Sequence, residues 1–167
     1  MKNKTVIFAL LICWAFVAFI VGVRSAKADE VKCSGKVDSI LVEKGKKKLT
    51  LLDTTNCPVK IYDVRLGKEG QKHCEGDMKT PTGIYHIIDK RNSKYVKFLE
   101  LNYPNKQDKQ MAKELGCNPG SAIGIHSWIE GLPKENSQGC ITVWTKDEIL
   151  EINSLVKVGT KVEITND

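Results

Sequence analysis

The sequence predicts an α+β domain rich in short strands with two helices, and three observations carry that expectation. Between residues 37 and 101 the apolar residues fall in short runs separated by polar turns. Two later segments carry helix caps and apolar residues three and four apart. No alternation of strand and helix and no glycine-rich phosphate loop occurs, which argues against a parallel nucleotide-binding sheet.

The elements follow in order. Val37 to Val42 and Leu49 to Leu52 flank the lysine cluster 44–48 and read as a hairpin whose turn is solvated. Val59 to Leu66 alternates Val59, Ile61 and Val64 with polar neighbours and reads as a strand. Gly67 to Gly76 is loop. Gly83 to Ile88 and Tyr95 to Leu101 are two more strands around a polar turn over Asp89–Lys94. Lys106 to Leu115 is the first helix, with Asn105 as N-cap and Gly116 just past its end. Met111 and Leu115 are expected to dock it on the sheet. Ala122 to Ile125 is a short apolar run entering His126, 127–139 is loop, and Cys140 to Val143 is strand-like. Thr145 and Glu148 form a capping box that opens a helix through Val156. Ile149, Ile152, Leu155 and Val156 are its expected buried stripe. Gly159 turns the chain into a last strand, Lys161 to Ile164.

The first 28 residues are set apart from this domain. Lys2 and Lys4 precede an uncharged run from Val6 to Val23, and Ala26-Lys27-Ala28 has the small-x-small form of a signal-peptidase site. We expect a signal peptide over 1–28, with an uncleaved membrane anchor as the competing reading, since the run is nearly long enough to span a bilayer. Both readings place residues 29–167 as one domain outside the cytoplasm, in the periplasm or cell envelope. Without the four basic residues of 1–28, 22 basic residues face 20 acidic ones. That balance gives no reason to expect a nucleic-acid partner.

Five cysteines remain beyond the leader: Cys33, Cys57, Cys74, Cys117 and Cys140. An exported chain tends to pair its thiols, and an odd count leaves one over. We expect two disulfides among the first four and a free Cys140. The pairing Cys33–Cys57 with Cys74–Cys117 is favoured, although spacing leaves other connectivities open. No C-x-x-C or H-x-x-x-H pair is present, so no metal centre is expected.

Cys140 lies between a glycine and an apolar run, at the end of the loop "ENSQG". A cysteine nucleophile needs a base or cation to hold it as thiolate, and donors for a developing oxyanion. His126 ends the preceding apolar run, and if 122–126 and 140–143 are neighbouring strands the loop returns the imidazole to the sulfur. The Ser127 carbonyl can orient the ring through its far nitrogen. Gly139 removes bulk beside the sulfur. Each residue has a plainer reading: a structural histidine, a turn serine at 137, and Trp128 and Trp144 packing as a lid rather than stacking on sugars.

Taken together, His126-Ser127, eleven residues, then Gly139-Cys140 resembles the signature of the L,D-transpeptidase catalytic domain (YkuD-like) family, most closely its short periplasmic murein-acting members. "GDMKTPTGIYHI" (76–87), "ELNYPNKQD" (100–108) and "VGTKVEI" (158–164) extend the likeness in the same order. The resemblance implies a β-rich sandwich and a Cys–His–carbonyl triad without a cofactor. It implies attack of the thiolate on a peptidoglycan stem peptide to give a thioester, which an amine from another stem or from a wall-attached lipoprotein resolves. Carried onto this chain, Cys140 is the nucleophile, His126 the base, and Ser127 the orienting carbonyl. The N–H groups of Gly139 and Cys140 form the oxyanion hole. Ser137, Gln138, Thr142 and Trp128 are the expected substrate-binding residues. Gln138 stands where the family has His, and Thr142 where it has Asn or Arg. A substrate carboxylate would then need another cation, such as Lys134 or Lys146. Two rival functions stay open: a murein hydrolase using the same thioester, and a non-catalytic wall-binding module.

Overall fold

Strands β1 (Val37–Glu43), β2 (Lys48–Asp53), β3 (Pro58–Arg65), β4 (Gly83–Ser93) and β5 (Val96–Leu101) precede helix α1 (Lys106–Glu114), and β6 (Gly124–Ser127), β7 (Ile141–Val143), helix α2 (Lys146–Leu155) and β8 (Lys161–Thr165) follow. This computed structural model describes residues 33–166, so the leader expected over 1–28 lies outside the described residues. The strand-rich α+β class with two helices is as the sequence predicts. The strands join edge to edge in the order β1-β2-β3-β7-β6-β5-β4-β8 and close into a barrel. Pairs β6–β7 and β1–β8 are parallel and the rest antiparallel. Closure leaves these strands no open edge.

Period-two alternation sends Ile40, Val42, Leu49, Leu51, Val162 and Ile164 into one hydrophobic core, where each is essentially fully buried. Ile125, Ile141 and Val143 join it from β6 and β7. Helix α2 packs against β5 and β6 through Ile149 and Ile152. Each such side chain stabilises the fold by about 1.5–3 kcal/mol. The Thr145–Glu148 capping box is present and contributes about 1 kcal/mol, so packing rather than capping holds the helix in place. Val156 is buried as expected, but Leu155 is 40% exposed because the helix ends there and its last turn leaves the sheet.

Three further expectations are corrected. Helix α1 does not dock through Met111 and Leu115, which are 42% and 55% exposed; only Ala112 is buried. A polar tie replaces the apolar one. Asp108 closes the capping box with Asn105 and accepts a hydrogen bond from Tyr85 Oη at 3.0 Å. The polar segment after Ile88 is strand rather than turn. It continues to Ser93, where Arg91 pairs with Asp89 and with Glu100 across the ladder. Finally, Lys44 is not a solvated turn residue, since its Nζ donates to the carbonyls of Gly70 (2.7 Å) and Thr80 (2.9 Å).

The disulfides are Cys33–Cys57 and Cys74–Cys117, and Cys140 is free. The second bridge ties the loop between β3 and β4 to the segment after α1.

Candidate functional site

β6 and β7 run side by side with Ile125 opposite Ile141 and His126 opposite Thr142. The residues facing the core are Ile125, Ile141 and Val143; their alternates Gly124, His126 and Thr142 take the other face. Cys140 immediately precedes β7, so the alternation puts it on that same face, level with Gly124. From the strand spacings, His126 and Cys140 are diagonal neighbours with Cα atoms about 8 Å apart. β5 lies on the other side of β6 and brings Phe98 opposite His126. β3 lies beyond β7 and brings Arg65 opposite Thr142. Arg65, Thr142, His126 and Phe98 thus form one row across four strands, with Cys140 just off it.

His126 is 6% exposed. Its ring stacks on Tyr95 at 4.1 Å and on Phe98 at 5.9 Å between centroids. Nδ1 lies 2.9 Å from the Ser127 carbonyl. A carbonyl only accepts, so Nδ1 carries the hydrogen and the lone pair of the neutral ring sits on Nε2. The Ser127 hydroxyl donates to the Tyr95 carbonyl at 2.8 Å, which fixes the β6 end against the β4–β5 turn. Burial pushes the imidazole below its ordinary pKa; the Ser127 carbonyl opposes this, and the charges of Arg65 and Lys94 add to it. Burial thus favours the neutral form of the ring.

The Cys140 thiol is partly buried and donates to the Ala122 carbonyl at 3.6 Å. Burial raises its pKa, against the opposing pull of the Gly124 backbone and the Lys72 charge. Burial of the sulfur thus works against the thiolate, and the Lys72 charge works for it. Gly124 has to be glycine, since a Cβ there would come within 2.6 Å of the Phe98 ring and 2.7 Å of the Leu99 carbonyl.

Loop 135–139 is held by Ser137. This buried hydroxyl donates to the Cys140 carbonyl at 2.5 Å and accepts from Gly139 N–H at 3.1 Å. The Ser137 hydroxyl is thus engaged inside the loop. The Gly139 N–H is already engaged, so it is not a ready oxyanion donor in this state. Gly139 is needed for space and backbone instead: its φ is +119°, and a Cβ would meet the Lys79 carbonyl at 2.7 Å. Gln138 is exposed at the loop tip. Trp128 donates its backbone N–H to Val143 and its indole N–H to Leu132, and with Trp144, Lys94 and Lys146 it lines a groove of about 630 Å³.

The loop before β4 forms another wall. Asp77 accepts from the N–H groups of His73, Cys74 and Lys79, at 2.8 to 3.1 Å, and pairs with Lys72 at 3.0 Å. Burial opposes its charge, yet those hydrogen bonds hold its pKa at about 2. Lys72 is 5% exposed. Sequence reasoning missed Lys72 and Arg65; both are buried cations in stretches that read as ordinary polar loop and strand.

Comparison with known proteins bears on the fold and the family. Residues 38–164 match the family model of the L,D-transpeptidase catalytic domain. The structure resembles that of Bd1075 from Bdellovibrio bacteriovorus, with 26% identity and a TM-score of 0.60 over 78% of this chain and 48% of that one. It is also similar to the helical cell shape determining protein Pgp2 of Campylobacter jejuni, with 25% identity and a TM-score of 0.62 over 78% of this chain and 48% of that one. A C442S mutant of the Enterococcus faecium L,D-transpeptidase shares the fold, with 14% identity and a TM-score of 0.52 over 78% of this chain and 50% of that one. The chain spans about half the length of the solved structures it matches. No curated protein matches it.

Proposed function

The chain belongs to the L,D-transpeptidase catalytic domain family, which acts on peptidoglycan stem peptides, and on that premise we propose that it is a cysteine-dependent transpeptidase of the cell envelope. The observation that carries this reading is the shared face of β6 and β7. It brings Cys140, just before β7, beside the carbonyl-oriented His126 imidazole on β6. The expected Ser127 role fits the 2.9 Å contact at Nδ1.

In the proposed reaction the Cys140 sulfur turns from Ala122 toward the substrate and attacks the carbonyl carbon of a stem-peptide bond. Its proton passes to His126 Nε2. The C–N bond then breaks, and the imidazolium returns that proton to the departing amine. A thioester on Cys140 remains. An acceptor amine, from a second stem or a lipoprotein lysine, attacks it, gives one proton to His126 and releases the sulfur, which takes that proton back. The Cys140 N–H supplies the oxyanion donor, and Gly139 joins it only if its bond to Ser137 opens. Burial favours the thiol over the thiolate, so attack coupled to proton transfer to the base suits this site. The two disulfides suit an oxidising compartment and support a periplasmic location.

Incubation with purified muropeptides, followed by mass spectrometry of the products, tests this. Cross-linked species heavier than either substrate are expected. Stems that are only trimmed would assign the enzyme to hydrolysis, and unchanged stems would reject the enzymatic reading.

A further inference from the structure

Two polar atoms on the site's outer face have no partner. Arg65 is 4% exposed and Thr142 is fully buried; Arg65 Nε and Thr142 Oγ1 are both buried without a hydrogen bond. They face the same way from directly paired positions on β3 and β7. A buried donor left unsatisfied is costly, so two at paired positions point to a ligand. The rest of the guanidinium is fixed: Nη1 donates to the Pro133 carbonyl, and the plane lies 5.8 Å from the Trp144 ring centre. Arg65 also lines a cleft of about 380 Å³ with Leu66, Lys68, Glu135 and Asn136. Burial lowers the guanidinium pKa, and the Glu135 charge opposes that shift.

We infer that Arg65, with the Thr142 hydroxyl beside it, binds the terminal carboxylate of the residue that leaves in the first half-reaction. This rests on the thioester reading above. The chemistry fits an anion with two oxygens: a guanidinium Nε–H edge and a hydroxyl donor, both desolvated. The position fits the departing end. Thr142 is directly paired with His126, the group that gives its proton to the leaving nitrogen. In an α-amino acid that nitrogen is one carbon from the carboxylate. Lys134 and Lys146 are exposed and off this row, so Arg65 rather than either lysine stands in for the missing charge at position 142.

The test uses the full chain and three synthetic stem tetrapeptides: the free acid, its C-terminal amide, and the amide of the diamino-acid side-chain carboxylate. Acylation of Cys140 is followed by intact mass. The wild type is expected to react about 10–100-fold faster with the free acid than with the C-terminal amide, as for loss of one charge-assisted pair. The side-chain amide is expected to react nearly as fast as the acid. Arg65→Gln should lower the free-acid rate toward that of the amide, and Arg65→Lys should restore part of the preference through KM. A wild type that treats acid and terminal amide alike, a loss confined to the side-chain amide, or a preference that survives in Arg65→Gln would each overturn the assignment. The wild-type comparison decides even if Arg65→Gln fails to fold. No adduct on Cys140 with any peptide would reject the proposed function itself, and this inference with it.

Discussion

Residues 67–82 and 128–139 are both loops that border Cys140, and they are held by different means. In the first, Asp77 gathers three backbone N–H groups and the Lys72 ammonium, Thr80 accepts from Gly67 N–H, Lys44 reaches in from the β1–β2 turn, and the Cys74–Cys117 bridge closes the outside. In the second, the ties sit near the ends. Trp128 bonds to Val143, and Ser137 bonds to Leu66 and Cys140, while between them Pro133 rests on Arg65 and Leu132 on Ile129 and Trp128. One wall is fixed before substrate arrives; the other is joined to the rest of the site through groups that substrate would engage. The difference teaches where rigidity is needed. The backbone beside the sulfur, Gly139 included, must be set closely, and there the two loops meet.

The largest effect is expected where the fixed wall meets the nucleophile. Gly139→Ala forces a Cβ against the Lys79 carbonyl at a φ of +119°, so a loss of activity of about 1,000-fold is expected, read as kcat with stem peptide. Retained activity would mean that the two walls are not packed through this glycine. Next, removing the covalent tie with Cys74→Ser and Cys117→Ser together should lower stability by about 2–4 kcal/mol in urea unfolding. Cutting the other loop's tie with Ser137→Ala should cost less, about 1–3 kcal/mol, but should lower kcat more than it raises KM. Equal losses in stability from the two would erase the contrast.

The smallest effect is a pH dependence specific to the first wall. Asp77 is held at about 2, below the value of a free carboxylate. Its contribution is therefore full above the ordinary carboxylate pKa of about 3.9 and is lost as pH falls toward 2. Asp77→Asn should flatten that part of the acid-stability curve, measured by thermal unfolding between pH 5 and 2. An unchanged curve would show that the Asp77 cluster carries no charge-dependent stability.

Much of this was legible in the sequence, and particular residues show why the rest was not. The Thr145–Glu148 capping box and the last strand depend on local spacing, so both could be read directly. The α1 N-cap was readable at Asn105, yet the box it forms with Asp108 and the exposure of its helix were not. Met111 and Leu115 have helical spacing, yet both stay exposed, and a polar tie from Asp108 to Tyr85 holds the helix instead. The polar end of β4 escaped because cross-strand ion pairs, not apolar alternation, extend it. Within the site, Cys140 was flagged by an odd thiol count and His126 by the run before it. Arg65 was invisible: in "VKIYDVRL" it is one more polar residue in a strand, and its meaning comes from pairing with a residue far along the chain. The raised thiol pKa was likewise hidden, since desolvation is set by packing rather than by neighbours in sequence.

The central claim is that Cys140 carries the acyl group and that His126 moves the proton. Intact-mass analysis of the full chain mixed with a stem tetrapeptide, followed by peptide mapping, tests it directly. The account predicts a mass gain equal to the peptide less its departing residue, located on Cys140, absent in Cys140→Ala and formed at least about 1,000-fold more slowly in His126→Gln. Peptide turnover that continues in Cys140→Ala, or an adduct that forms at an undiminished rate in His126→Gln, would contradict it.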